Sequence, residues 1–297
     1  LYDLAAAAVS VAAAAVLGGV TDMAMVTIDK RRSGSEPLLE VAADGRICAD
    51  DVLRLRRAIY QEGGIDREKA AALFRLNRDH PKHDPAWAEF YVEALCDFFY
   101  WRQGSDSALT EDAEQMLMEW IGPAEAIDDG TELRLLLSLI FRTHGSSERF
   151  RAYVLVAVRH SVLHSSQALY GHAGRKPGVI DAADVEIIRK LVYGLGGQGG
   201  MAISAAEADF LFDLNDATCG ARNAPAWRDL FVKAVTMYLL FAGDSPDRID
   251  EAEAHWLIAR IGADKPNHDN ERALLAYLKQ EAGLHPLLMP LCERLGV

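Results

Sequence analysis

The stretch Ile203–Ala217, ISAAEADFLFDLNDA, decides the fold, because the chain contains it twice. It leads through Pro225-Ala-Trp227 into a long apolar-striped segment ending near Phe241. Ile65–Asp79, IDREKAAALFRLNRD, leads in the same way through Pro85-Ala-Trp87 into a second striped segment ending near Trp101. The register holds residue by residue: Leu73-Phe74 answer Leu211-Phe212, Leu76-Asn77 answer Leu214-Asn215, and Trp87 answers Trp227.

Working outward, the same order of elements flanks both copies. Gly45-Arg-Ile47 and Gly178-Val-Ile180 open them, and each is followed by a periodic helix ending at Tyr60 or Tyr193 and a glycine turn. After the tryptophan helix come Leu109-Thr110-Glu111 and Ile249-Asp250-Glu251, with helix ends at Ile121-Gly122 and Ile261-Gly262. A last helix carries Glu132 and Leu135-Leu136 in one copy, Glu271 and Leu274-Leu275 in the other. The extra residues of the second copy fall at Gly196–Gly200 and around Cys219–Arg222, where loops tolerate insertion. We read an internal duplication.

Trp227, Leu230, Phe231, Ala234, Val235 and Tyr238 follow i, i+3, i+4, i+7, i+8 and i+11, one face of an α-helix. Trp87, Phe90, Tyr91, Ala94, Leu95 and Phe98 repeat that spacing. No stretch alternates with period two between hairpin turns, so the expected class is all-α, with about five helices per copy. The expected organisation is an Ala-rich helix (1–26), a linker (27–43), repeat 1 (44–160), a connection (161–177) and repeat 2 (178–297). The apolar helix lacks the basic leader of a signal peptide, and alanine inserts poorly into lipid. Membrane contact is expected only if that helix anchors.

The net charge of −13 argues against a nucleic-acid partner, which requires a basic footprint. Cys48, Cys96, Cys219 and Cys292 form no CxxC pair, and neither Cys48 nor Cys96 has a cysteine at the matching position of the second copy. Four reduced thiols and a cytoplasmic location are expected.

Helix starts follow one rule: an apolar residue, then a capping residue, with an acid three positions on. Ser204 with Glu207 reads as a capping box, and Asp181 with Asp184 and Asp250 with Glu253 are variants. Asp66 and Thr110 keep the cap and shift the acid. The rule overlaps the second half of a calcium loop. With Gly45 and Ile47 aligned to that loop, only Glu40, Asp44 and Asp51 fall on ligand positions, and Pro177 occupies one in the second copy. Calcium takes six or more oxygens, so neither loop is a competent calcium site.

The helix starts Asp44-Gly-x-Ile47 and Gly64-Ile65-Asp66, in all-α units of this length, resemble the TerB-like (tellurite-resistance) helical domains, which are themselves similar to degenerate EF-hands. The resemblance covers about 45–160 and 178–297. It implies that acids at helix starts hold a divalent cation (Ca²⁺, Mg²⁺ or Zn²⁺). The matching residues are Asp44, Asp50, Asp51, Asp66 and Glu68, with Asp181, Asp184 and Glu207 in copy two. No other cofactor is implied.

Other motifs read as structure. Gly194–Gly199 matches GxGxxG but follows a helix where a dinucleotide site needs a strand, so it is an expanded turn. His160 and His164 lack a third zinc ligand. Asn77 and Asn215 read as helix C-caps, and the two tryptophans as core anchors. The expected function is a non-enzymatic scaffold holding a protein partner or self-associating. A divalent-metal-binding stress-response domain is the first alternative. An enzyme with a site between the repeats, built on His144, His160 and His164, is the second.

Overall fold

Most helices begin at a residue whose side-chain oxygen accepts from a free N–H group of the first turn. The computed structural model describes residues 45–61, 63–102, 109–143, 145–165, 176–194, 203–241, 248–262, 269–282 and 284–297. Asp44, His144, the N-terminal Ala-rich segment and most of Gly194–Gly199 lie outside them. The first half contains α1 (Ala49–Gln61), α2 (Arg67–Asp79), α3 (Pro85–Asp97), α4 (Glu111–Ile121), α5 (Gly130–Arg142) and α6 (Glu148–His164). The second contains α7 (Ala182–Gly194), α8 (Ala205–Ala217), α9 (Pro225–Phe241), α10 (Glu251–Ile261), α11 (Asp269–Glu281) and α12 (Met289–Leu295). The protein is all-α: among the described residues the only extended pairing is a single parallel bridge, Ile47 to His83.

The caps act as their sequence suggests. Ser204 and Asp250 form capping boxes with Glu207 and Glu253, and Asp66 and Thr110 accept from Lys69 and Ala113 backbone N–H groups. Gly122 and Gly262 end α4 and α10 at φ of 104° and 67°, a region costly for any side chain with a Cβ. The entries to α3 and α9 are tied alike: Asp84 N–H donates to Ile47 O at 2.9 Å, and Ala224 N–H to Ile180 O at 2.8 Å.

The striped faces meet in one continuous hydrophobic core that draws on both halves, within a single unit spanning Gly34–Val297. Trp87 and Trp227 are buried in it, and α3 packs on α5 as α9 packs on α11. A chain of charges also joins the halves. Arg159 on α6 donates to Asp213 on α8 at 3.0 Å, and Arg260 on α10 donates to the same carboxylate at 2.7 Å.

Two sequence expectations need correction. The boundary drawn at 160–161 falls inside α6, which continues to His164, and among the described residues each half has six α-helices where about five were expected. Asn77 and Asn215 do not cap their helices: His80 and Thr218 hold those positions, and both asparagines are buried one turn earlier.

Candidate functional site

Five of the acids proposed as metal ligands, Asp51, Asp66, Asp181, Asp184 and Glu207, are used at helix starts. Asp51 accepts from Cys48 N–H at 3.0 Å, and the Cys48 side chain first, then that backbone bond, hold its carboxyl below the usual range. Asp66 accepts from Lys69 N–H at 2.9 Å. Asp181 and Asp184 satisfy each other's backbone N–H groups at 2.9 and 3.1 Å, and Glu207 accepts from Ser204 N–H at 2.8 Å. Glu68 is exposed in the first turn of α2. Among the described residues no three His, Cys, Asp or Glu side chains are placed to hold a metal ion together. The His160 and His164 rings lie 4.9 Å apart, tilted at 42°, and His160 Nε2 lies 3.1 Å from Asp128. No helix among the described residues is long and apolar enough to cross a membrane.

A different pair of sites emerges from the matched asparagines. In the first half, three helix ends converge on Asn77. The Trp87 indole, at the start of α3, donates to Asn77 Oδ1 at 2.8 Å. Asn77 Nδ2 donates to Asp129, whose other oxygen caps α5 by accepting from Thr131 N–H at 2.8 Å. Every polar atom of this buried amide has a partner. Nearby Glu132 is pushed up to about 7, first by burial and then by the Asp129 charge, with Arg78 opposing. Tyr91 is raised by complete burial above all.

In the second half the same convergence stays open. Asn270, in the first turn of α11, donates through Nδ2 to Asn215 Oδ1 at 2.8 Å. Its own Oδ1 accepts from Arg228 Nε at 3.2 Å. Asn215 Nδ2 and Trp227 Nε1 are left with no acceptor, in side chains 2% and 1% exposed. A buried donor without a partner costs about 1–3 kcal/mol, so two on neighbouring side chains are conspicuous. Both residues line a cavity of about 610 Å³ with Cys219, Arg222, Arg228 and Asn270.

The wall of that cavity is the loop expanded in the second half. The spacing from Asn77 to Trp87 is two residues shorter than from Asn215 to Trp227. Asn223 pins the longer loop by donating to Thr218 O and Oγ1 at 3.1 and 3.0 Å and accepting from Ile180 N–H at 2.9 Å. A second cavity, of about 430 Å³ between α4 and α6, is lined by Met118, Arg149 and Tyr153. There the tyrosine hydroxyl is already used, donating to Gly122 O at 2.7 Å.

Sequence reasoning read Asn215 as a cap and Trp227 as a core anchor, and did not single out Asn270. The signal was in the comparison of the halves. Asp129 stands three residues before Glu132, whereas His268 stands three before Glu271, so the carboxylate that closes the first node is absent from the matching position. Compared with known proteins, the chain matches no family model, no curated protein and no solved structure.

Proposed function

We propose that this protein is a duplicated, TerB-like helical scaffold of the cytoplasm that binds a protein partner through the cavity of its second half. The observation that carries the reading is the pair of buried donors, Asn215 Nδ2 and Trp227 Nε1, lining that cavity without an acceptor. Amide and indole N–H groups donate hydrogen bonds; they neither titrate near neutral pH nor attack as nucleophiles. Such donors recognise rather than react, which favours binding over catalysis. Equal lengths of α1 and α7, α2 and α8, α4 and α10, and α5 and α11, with the entry bonds at Asp84 and Ala224 and the buried Asn–Trp pairs, support the duplication. One copy then keeps a closed node for stability while the other is free to diverge.

Selection of displayed peptides with free C-termini, against the intact protein and an Arg228→Glu variant, tests the reading. A motif enriched by the wild type and lost with the variant supports it. Enrichment that ignores the variant, or none at all, removes the cavity from the account.

A further inference from the structure

The cavity between α4 and α6 has a counterpart in the second half that an arginine of the chain already enters. Ser147 begins α6 by accepting from Phe150 N–H, and His285 begins the turn leading into α12 by accepting from Leu287 N–H. Phe150, Val154 and Ala157 are then buried at i, i+4 and i+7, and so are Leu288, Cys292 and Leu295. In that register Arg294 stands where α6 has Val156, and its guanidinium donates to Gly262 O at 2.6 Å. Gly262 closes α10 as Gly122 closes α4. In the second half, therefore, an arginine stem crosses from α12 to the end of α10.

The first-half groove lacks that arginine and carries the charge to receive one. α4 and α6 each line it at i, i+3, i+4 and i+7, counted from Gln115 and from Arg149. Met118, Tyr153 and Val156 supply apolar wall against which an alkyl stem packs. Glu119 and Glu125 belong to the same lining, and Gln115 steadies the first by donating to its Oε1 at 2.6 Å. Arg149 opposes these two carboxylates from α6 without an ion pair among the described residues, so the lining keeps an excess of negative charge. Burial first, then the charges of Glu132 and Glu125, push the Tyr153 hydroxyl up, so the potential at that wall is negative as well. Glu119 is matched by Ala259 in the second half: the carboxylate stands in the half whose groove has no arginine of its own. Gly122 O accepts from Tyr153 and keeps a second lone pair. We propose that the groove between α4 and α6 binds an arginine side chain of a protein partner, its stem on Met118 and Val156 and its guanidinium between Gly122 O and the carboxylates of Glu119 and Glu125. The inference rests on the correspondence of the two halves and is independent of the second-half cavity.

Methyl-¹³C labelling of methionine reports on the groove through Met118, whose signal is assigned by its loss in Met118→Leu. Blocked tripeptides with arginine, citrulline or glutamate between two glycines are titrated at low salt, where exposed charges are least screened. The expected result is a saturable Met118 shift with the arginine peptide, and at most about a tenth of it with glutamate or with citrulline, the neutral isostere. Glu119→Gln combined with Glu125→Gln, both exposed positions, should weaken arginine binding about tenfold. Val156→Arg, which installs the second half's own arginine in the first, should abolish it. Silence with the arginine peptide, an equal response to citrulline, or binding indifferent to the loss of both carboxylates overturns the assignment. So does an undiminished response in Val156→Arg whose other methionine signals stay in place. An arginine response together with an empty selection against the second-half cavity retains this site and removes that one; a successful selection with a silent Met118 does the reverse.

Discussion

The indole of Trp87 donates to Asn77 at 2.8 Å, whereas the indole of Trp227, its counterpart, has no acceptor although Asn215 lies beside it in the same cavity lining. Two nearly identical helix entries thus differ in one hydrogen bond, and that difference separates a structural node from a candidate binding site.

The two asparagines should differ in their contribution to stability. Asn77→Ala strips a buried indole and a carboxylate of their partner at once and should cost about 2–4 kcal/mol. Asn215→Ala removes one amide bond and one orphaned donor, and should cost at most about half as much. Urea unfolding of both variants checks the ratio; equal costs would mean the second node is closed in solution.

The helix-cap reading of the acids predicts metal-independent losses. Asp51→Ala and Asp184→Ala should each lower stability by about 1 kcal/mol in the presence of chelator. Thermal unfolding with and without Ca²⁺, Mg²⁺, Mn²⁺ and Zn²⁺ separates the roles. A saturable stabilisation by one ion, abolished in both variants, would make these carboxylates ligands after all.

Glu132 gives the fold a pH dependence of known sign. Its carboxyl in the folded protein titrates at about 7, pushed up mainly by burial, above the value of about 4.3 expected for an unfolded chain. The folded state therefore holds its proton where the unfolded state has lost it. The contribution is fully present below about pH 4.3, declines as pH rises through the window to 7, and is lost above it. Denaturant midpoints measured from pH 5 to 8 should fall less steeply in Glu132→Gln than in the wild type.

Cysteine accessibility offers an independent handle on the cavity. Cys48 and Cys219 are exposed while Cys96 and Cys292 are buried, and burial pushes the Cys96 thiol up to about 11. A thiol reagent should modify two cysteines quickly in the native protein and all four after unfolding. A bulky maleimide on Cys219, which lines the cavity with Trp227, should also shift the indole N–H resonance of Trp227. An unmoved Trp227 resonance after complete modification would show that the Cys219 side chain does not reach the indole.

Much of the architecture was legible from local chemistry. Serine, threonine and aspartate ahead of apolar runs mark the starts of α2, α4, α8 and α10, and Gly122 and Gly262 mark two ends, because caps and left-handed turns involve residues a few positions apart. The 3.6-residue stripe through Trp87 and Trp227 identifies their buried faces for the same reason. Asn77 and Asn215 were misread because a terminal asparagine is a common cap, and nothing adjacent in sequence shows that Asp129 and Asn270, fifty-odd residues on, are their partners.

By itself, then, the sequence determined the helical class and the caps, both of which follow from periodicity and short-range hydrogen bonding. Only the tertiary structure decided which polar atoms find partners. The joining of α6, α8 and α10 through Asp213, the closed node at Asn77 and the open one at Asn215 depend on where helix ends meet across the core. A hydrogen bond there is made or lost over less than an ångström, a distance set by packing of the whole unit rather than by any neighbouring residue.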